Sequence, residues 1–430
     1  MMDSIYALSS GSVPSGVAVL RLSGPRAGAA MEALSGKLPE PRRAVLRTLR
    51  HPADGSPVDQ GLVLWFPAPR SETGEDMAEL QVHGSRAVVQ TLFAILSGCG
   101  LRLAEPGEFA RRAFVNGKMD LTEVEGLADL IAAETEMQRR QAVGLAGGRL
   151  AGLAEDWRRR LIDLRAEVEA RIDFSDEGDV PEALPGSVMH GIAALRAEMA
   201  TLLADAHAGE RVREGFRIAI LGRPNAGKSS LLNALSRRDV AIVTEEAGTT
   251  RDVLEVPLDL RGYPVVLFDT AGLRETVSQA EGEGVRRARR TAESADLVLW
   301  LEDCTVSPEA MPDLPDVPVW RIATKLDLAP PDFGEAGVSV KTGAGLAALI
   351  ARIADAAEQS MGGGTALVAR ERQKGALLDA VAALSEAGAA TDEILADLLR
   401  SASSAIGRLS GRVDVEDVLD RLFAEFCIGK

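Results

Sequence analysis

Phe216-Arg-Ile-Ala-Ile-Leu-Gly-Arg-Pro-Asn-Ala-Gly-Lys-Ser229 is the stretch from which the fold can be read. Phe216 to Leu221 is an apolar run of strand length, and Gly222 and Pro224 to Gly227 supply turn residues that end it abruptly. The spacing G-x-x-x-x-G-K-[ST] between a strand and a helix predicts a phosphate cradle: the glycines let main-chain N–H groups and the helix N-terminus turn toward phosphate oxygens. Lys228 then neutralises charge, Ser229 offers a hydroxyl to Mg²⁺, and Asn225, Ala226, Gly227 and Ser230 complete the contacts. Taken alone, the motif also fits a bland Gly-rich turn. Strand, loop and helix continue to alternate to about residue 360, which predicts one α/β domain.

Three later stretches decide against the bland turn. In Gly248-Thr-Thr-Arg-Asp252, ahead of an expected strand over 253–260, Thr250 is assigned to the γ-phosphate and Mg²⁺. An expected strand over 265–268 ends in Asp269-Thr-Ala-Gly272, where Asp269 faces Mg²⁺ and the Gly272 amide the γ-phosphate, with Thr270 and Ala271 between them. A strand over 317–323 ends in Thr324-Lys-Leu-Asp327. The Asp327 carboxylate can accept from the N1 and N2 donors of guanine, a pair that adenine lacks, so GTP is the expected nucleotide. Lys325 belongs to the same loop, Thr324 stands where such domains usually have Asn, and Ser339-Val340-Lys341 fits the last base-contacting loop. Leu273, after Gly272, cannot orient water as a Gln would; Arg251 and Arg274 read as surface ion-pair residues.

Outward from this domain the pattern changes. Residues 1–118 mix short apolar runs with Gly and Pro breaks, which predicts an α+β domain. From 119 to 212 helical spacing dominates; Thr122 with Glu125 is expected to make a capping box, and Val124, Leu127, Ala128 and Ile131 follow at helical intervals. The α/β domain is set at 213–361, three glycines from Gly362 act as a linker, and helices return over 365–430, the last one capped by Asp414. The fold class expected is therefore multidomain: an α+β N-terminal domain, a discontinuous helical domain, and an α/β P-loop G domain inserted into it. The Arg-rich faces at Arg139, Arg140 and Arg158 to Arg160 read as solvated helix surface.

Composition narrows the partners. With 48 Lys and Arg against 64 Asp and Glu, the net charge of −16 repels phosphate backbones, so RNA contact needs a local basic patch or a second protein. Three scattered cysteines (Cys99, Cys304, Cys427) fit a reducing compartment. No signal sequence or apolar span is read, so the cytoplasm is the expected location, with no membrane.

Arg21-Leu-Ser-Gly-Pro25, Pro106-Gly-Glu-Phe109, Asn116-Gly-Lys-Met-Asp-Leu121, the nucleotide motifs and Phe426-Cys-Ile-Gly-Lys430 together resemble the tRNA modification GTPases of the MnmE (TrmE) family along the whole chain. The resemblance implies a K⁺-activated GTPase whose G domains meet across their nucleotides. The cation would lie on Asn225 and on the main-chain oxygens of Thr244, Glu246 and Thr249, and Glu281 would orient water, with Glu283 as its neighbouring competitor. It also implies a folate-binding-like N-terminal domain that dimerises and holds a 5-formyl- or methylene-tetrahydrofolate through Arg21, Glu79, Lys118 and Lys430. By the same resemblance, the homodimer joins a flavin-dependent partner of the MnmG (GidA) type in a heterotetramer. Together they modify carbon 5 of the tRNA wobble uridine with a carboxymethylaminomethyl-type group. His83 and Cys427 read as structural residues. The competing class is a ribosome-assembly switch, which usually carries a basic RNA-binding appendage; none is read here.

Overall fold

The structure, a computed structural model, describes residues 3–173, 186–237, 240–242, 254–269, 289–307, 311, 313–330, 336–363, 366–412, 419, 422–424, 426 and 429. It comprises two compact units, Met1–Ala128 with Gly407–Lys430 and Asp129–Ile406. The sequence pattern instead changed character near residues 118, 212 and 361, because helical and α/β periodicities differ even where their segments share one compact unit.

In the first unit, strands β1 (Ile5–Leu8), β2 (Ser15–Ser23), β3 (Val45–Arg50), β4 (Pro57–Phe66), β5 (Met77–Gly84) and β6 (Arg102–Leu103) form one sheet in the order β3-β4-β5-β2-β1-β6. All pairs are antiparallel except β1 with β6. Alternation along β2 and β5 buries Ala18, Leu20 and Leu22 and Ala78, Leu80 and Val82 against helices α1 (Ala27–Ser35) and α2 (Arg86–Gly98). Period two therefore puts the intervening residues on the other face, where Arg21 stands directly opposite Glu79.

Helix α3 (Glu108–Val115) starts at Gly107, whose φ of 66° suits glycine; a Cβ there would also lie 2.7 Å from the Phe423 carbonyl oxygen. Leu422, Phe423 and Phe426 pack with Ala110, Leu121 and Val124 in a small core, so the last apolar stripe of the sequence closes on this unit. Helix α4 (Leu121–Ala132) corrects the expected cap. Asp120 accepts from the Glu123 amide at 2.9 Å while the Glu123 carboxylate accepts from the Asp120 amide at 2.7 Å. Thr122 lies inside the helix and is buried, because the Asp120 side chain takes the capping position first.

The second unit contains helices α5 (Glu136–Ala146), α6 (Arg149–Asp173), α7 (Gly186–Ala204), α8 (Ala206–Glu214), α9 (Lys228–Ser236), α10 (Leu346–Met361), α11 (Glu371–Glu386) and all but the last turn of α12 (Asp392–Leu409). Its strands are β7 (Phe216–Gly222), β8 (Leu254–Leu260), β9 (Tyr263–Asp269), β10 (Leu297–Asp303), β11 (Val319–Thr324) and β12 (Ala336–Val338). They form a sheet in the order β12-β11-β10-β7-β9-β8, parallel throughout except for β8 with β9. Strand β11 begins two residues later than expected, after Pro318, which has no N–H to give a ladder. Ile218, Ile220, Leu299, Leu301 and Ile322 bury the sheet against Leu231, Leu235, Leu349 and Ile353.

The arginine-rich faces are satisfied at the surface, as the sequence reading held. Arg139 and Arg140 both bind Glu136, Arg158 binds Glu155, and Arg160 reaches Asp156 and Glu198. Among the described residues, no helix is long and apolar enough to cross a membrane.

Candidate functional site

Strand β7 lies inside its sheet between β10 and β9, so the loop after it leaves from the C-terminal edge of the parallel strands. Such edges are where ligands bind in open α/β sheets. Gly222 pairs with Leu301 and has φ 145°; a Cβ there would stand 2.4 Å from the Leu301 carbonyl oxygen, so only glycine lets β7 turn away. Asn225 at φ 65° and Gly227 at φ 94° continue the left-handed curl that turns successive amides inward. Helix α9 starts immediately after, at Lys228, with Ser229 and Ser230 exposed in its first turn. The Lys228 ammonium donates to the carbonyls of Gly222 at 2.9 Å and Arg223 at 2.8 Å, which places a positive charge against the loop's own backbone.

The residues expected to read the base lie together on the same edge, after the ends of β11 and β12. Asp327 Oδ1 accepts from the buried Ser339 hydroxyl at 2.7 Å, and its Oδ2 lies 3.9 Å from the Lys341 ammonium. The Ser339 hydrogen bond, aided by the Lys341 and Lys325 charges against partial burial, holds the Asp327 carboxyl below the usual carboxylate range. It is therefore an acceptor at neutral pH, the state needed to read two N–H donors. Lys325, at φ 61°, pairs with the Asp303 carboxylate. Val340 is exposed in the turn after Ser339.

Thr324, where such domains usually have Asn, turns its side chain inward. Its hydroxyl donates into the protein, 2.8 Å from the Ala226 carbonyl oxygen and 3.2 Å from that of Glu302, and the residue is 4% exposed. A buried hydroxyl beside two main-chain acceptors is held by them, so it ties the phosphate loop to the neighbouring strands.

Of the other expected residues, Asp269 ends β9 opposite Ile220, its side chain outside the described residues. Thr244, Glu246, Thr249, Thr250, Thr270, Ala271, Gly272, Glu281 and Lys430 also lie outside them, as do Arg251, Arg274 and Cys427.

On the first unit's sheet, Arg21 Nη1 lies 3.0 Å from the Glu72 carboxylate and its Nε 3.7 Å from that of Glu79, with that Nε buried and unmatched. Glu79 also accepts from Gln81 at 2.9 Å. Lys118 donates to the Pro69 carbonyl at 3.0 Å, and its side chain runs beside Gly74. The loop over 67–76 thus touches both Arg21 and Lys118. His83 is satisfied by Asp59 at 2.8 Å, matching the structural reading.

A profile of the MnmE helical domain matches residues 121–427, and one of the GTP-binding protein TrmE N-terminus matches residues 4–118. A tRNA modification GTPase MnmE of Rhodopseudomonas palustris is 51% identical over 439 residues, covering 100% of this chain and 99% of the relative. The chain belongs to the MnmE family. Relatives of the same description from Azorhizobium caulinodans and Rhizobium meliloti are 54% and 52% identical, again across 100% of this chain and 99% of each relative.

Within this MnmE-family chain the structure adds residues that sequence reasoning missed. Arg112, buried on α3, reaches Glu108 at 2.9 Å, Glu75 at 2.9 Å and Asp3 at 2.9 Å, while Arg102 also binds Glu108 and Asp3. Burial alone would raise the Glu108 pKa, but Arg102, the Glu105 amide and Arg112 together hold it below the usual range. Glu75 in turn accepts from Ser23, whose hydroxyl lies 2.7 Å from Thr73. This buried network anchors the loop that presents Glu72. The sequence signal available was the spacing Glu108 to Arg112, one helical turn.

Proposed function

We propose that the chain is a K⁺-activated GTP hydrolase that, with a flavin-dependent partner of the MnmG (GidA) type, modifies carbon 5 of the tRNA wobble uridine. The group installed is of the carboxymethylaminomethyl type, and a tetrahydrofolate supplies its one-carbon unit. GTP hydrolysis in tRNA modification is the activity named for the family's close relatives, which match this chain over its whole length. The observation that carries the reading is the meeting, on one sheet edge, of a phosphate loop that only glycine permits at Gly222 and an Asp327 carboxylate fixed by Ser339.

The chain's own residues divide the work. Main-chain amides from Asn225 to Ser230 hold the phosphates, Lys228 neutralises them, and Asp327 with Ser339, Val340 and Lys341 selects guanine. Ser229 and Thr250 hold Mg²⁺, beside Asp269 to Gly272. Asn225 fits a cation role because it is exposed on the left-handed turn of the loop; with Thr244, Glu246 and Thr249 it holds K⁺. When bound, these ions supply the positive charge that phosphoryl transfer requires, including the charge that an Arg finger supplies in other GTPases. Thr250 closes the site and Glu281 orients the attacking water.

In the same reading, residues 1–118 form the folate-binding-like, dimerising domain, with Arg21, Glu79, Lys118 and Lys430 around a 5-formyl- or methylene-tetrahydrofolate. Residues 119–212 and 365–430 form the two parts of the helical domain and 213–361 the G domain of a cytoplasmic homodimer. The paired carboxylates around Arg21 suit the donor-rich ring of a folate. GTP turnover in K⁺ against Na⁺ tests the cation mechanism: a marked K⁺ preference is expected, and equal rates contradict it. Loss of the modified wobble nucleoside from a deletion strain is the matching test in the cell.

A further inference from the structure

Thr324 stands where G domains usually carry Asn, and its side chain is committed to the interior. The residue is 4% exposed, and its Oγ1 lies 2.8 Å from the Ala226 carbonyl oxygen and 3.2 Å from that of Glu302. A hydroxyl has one proton to give. The shorter contact takes it, and the second acceptor lies on the same buried side. Ala226 belongs to the phosphate loop and Glu302 to β10, while Thr324 itself ends β11 opposite Asp303 and Val338. A side-chain amide has two N–H groups and a carbonyl, enough to serve a loop and a ring together. A hydroxyl with a methyl is not.

We infer that Thr324 is a positioning residue: it fixes the phosphate loop against β10 and β11 and gives no donor to the nucleotide ring. N7 of guanine then goes unread by this motif, and the ring is selected at N1 and N2 by Asp327. This rests on Asp327 as the guanine acceptor, a role it can fill independently. Its carboxylate is held by Ser339, whose hydroxyl oxygen accepts from the Thr342 amide at 3.2 Å.

The test is displacement of a fluorescent GDP from the full chain by GTP, by 7-deaza-GTP, in which C–H replaces N7, and by ATP. GTP and 7-deaza-GTP are expected to bind within about twofold of each other. Thr324→Val weakens both by about tenfold and leaves their ratio unchanged, while Thr324→Ser, which keeps the hydroxyl, stays within about threefold of the native chain. A loss of about tenfold or more for 7-deaza-GTP on the native chain overturns the inference. So does native affinity in Thr324→Val, or a Thr324→Ser chain as weak as Thr324→Val. Should Thr324→Val not fold, judged by circular dichroism, the native chain and Thr324→Ser still decide the question. Equal binding of GTP and ATP would instead count against the Asp327 reading, a separate outcome.

Discussion

The proposed nucleotide site and the charge cluster around Arg21 are built in opposite ways. The first takes its shape from main-chain geometry in contiguous stretches: Gly222, Asn225 and Gly227 set the curl, and the nearby Lys228 supplies the charge. The second is assembled by sheet register. Arg21 on β2 meets Glu79 on β5 because the strands pair there, and Glu72 arrives on a loop anchored by the buried Arg112 network. A site made of backbone announces itself in local spacing. One made of side chains from separate strands does so only once the register is known.

Substitutions sharpen or break this contrast, beginning with the largest effect. Lys228→Ala removes the charge opposite the phosphates and is expected to slow GTP hydrolysis on the order of a thousandfold without unfolding the chain, by phosphate release and circular dichroism. Arg112→Ala leaves the largely buried Glu75 without its cation and Glu108 with Arg102 alone, and should destabilise the first unit by about 3 kcal/mol, seen as a lowered calorimetric transition. A transition at its native temperature would mean that the network does not anchor the unit. Asp327→Asn replaces an acceptor by a donor; GTP affinity should fall about a hundredfold and xanthosine triphosphate should gain. Arg21→Met should weaken binding of 5-formyl-tetrahydrofolate by about tenfold while leaving GTP affinity intact, measured by calorimetric titration.

The smallest effect concerns acid. Glu108 is held below its ordinary value of 4.5 in the folded chain, so its contribution to stability is complete above that pH and lost as the pH falls through the lower folded value. Melting of the first unit should drop more steeply below about pH 4.5 in the native chain than in Glu108→Gln. Identical profiles would contradict the ion-pair account of Arg102, Arg112 and Glu108.

Legibility followed the same division. The strand over 216–221, the turn after it and the helix from Lys228 were readable because turn residues and periodicity occur within a few positions of one another. The cap of α4 was misread, since Asp120 and Thr122 both suit an N-cap and only the three-dimensional path shows that Asp120 takes it. In the sequence Thr324 is only a departure from the usual Asn, and its tie to Ala226 depends on a contact across 98 residues that no local pattern encodes. The Arg112 network was missed for that reason, as it gathers residues from Asp3 to Arg112.

Guanine choice is the most direct test of the account. In a competition titration on the full-length chain in K⁺ and Mg²⁺, GTP should displace labelled GDP at least about a hundredfold more effectively than ATP, and Asp327→Asn should abolish the difference. Comparable displacement by the two nucleotides on the native chain would contradict the reading of Asp327 on which the proposed function stands.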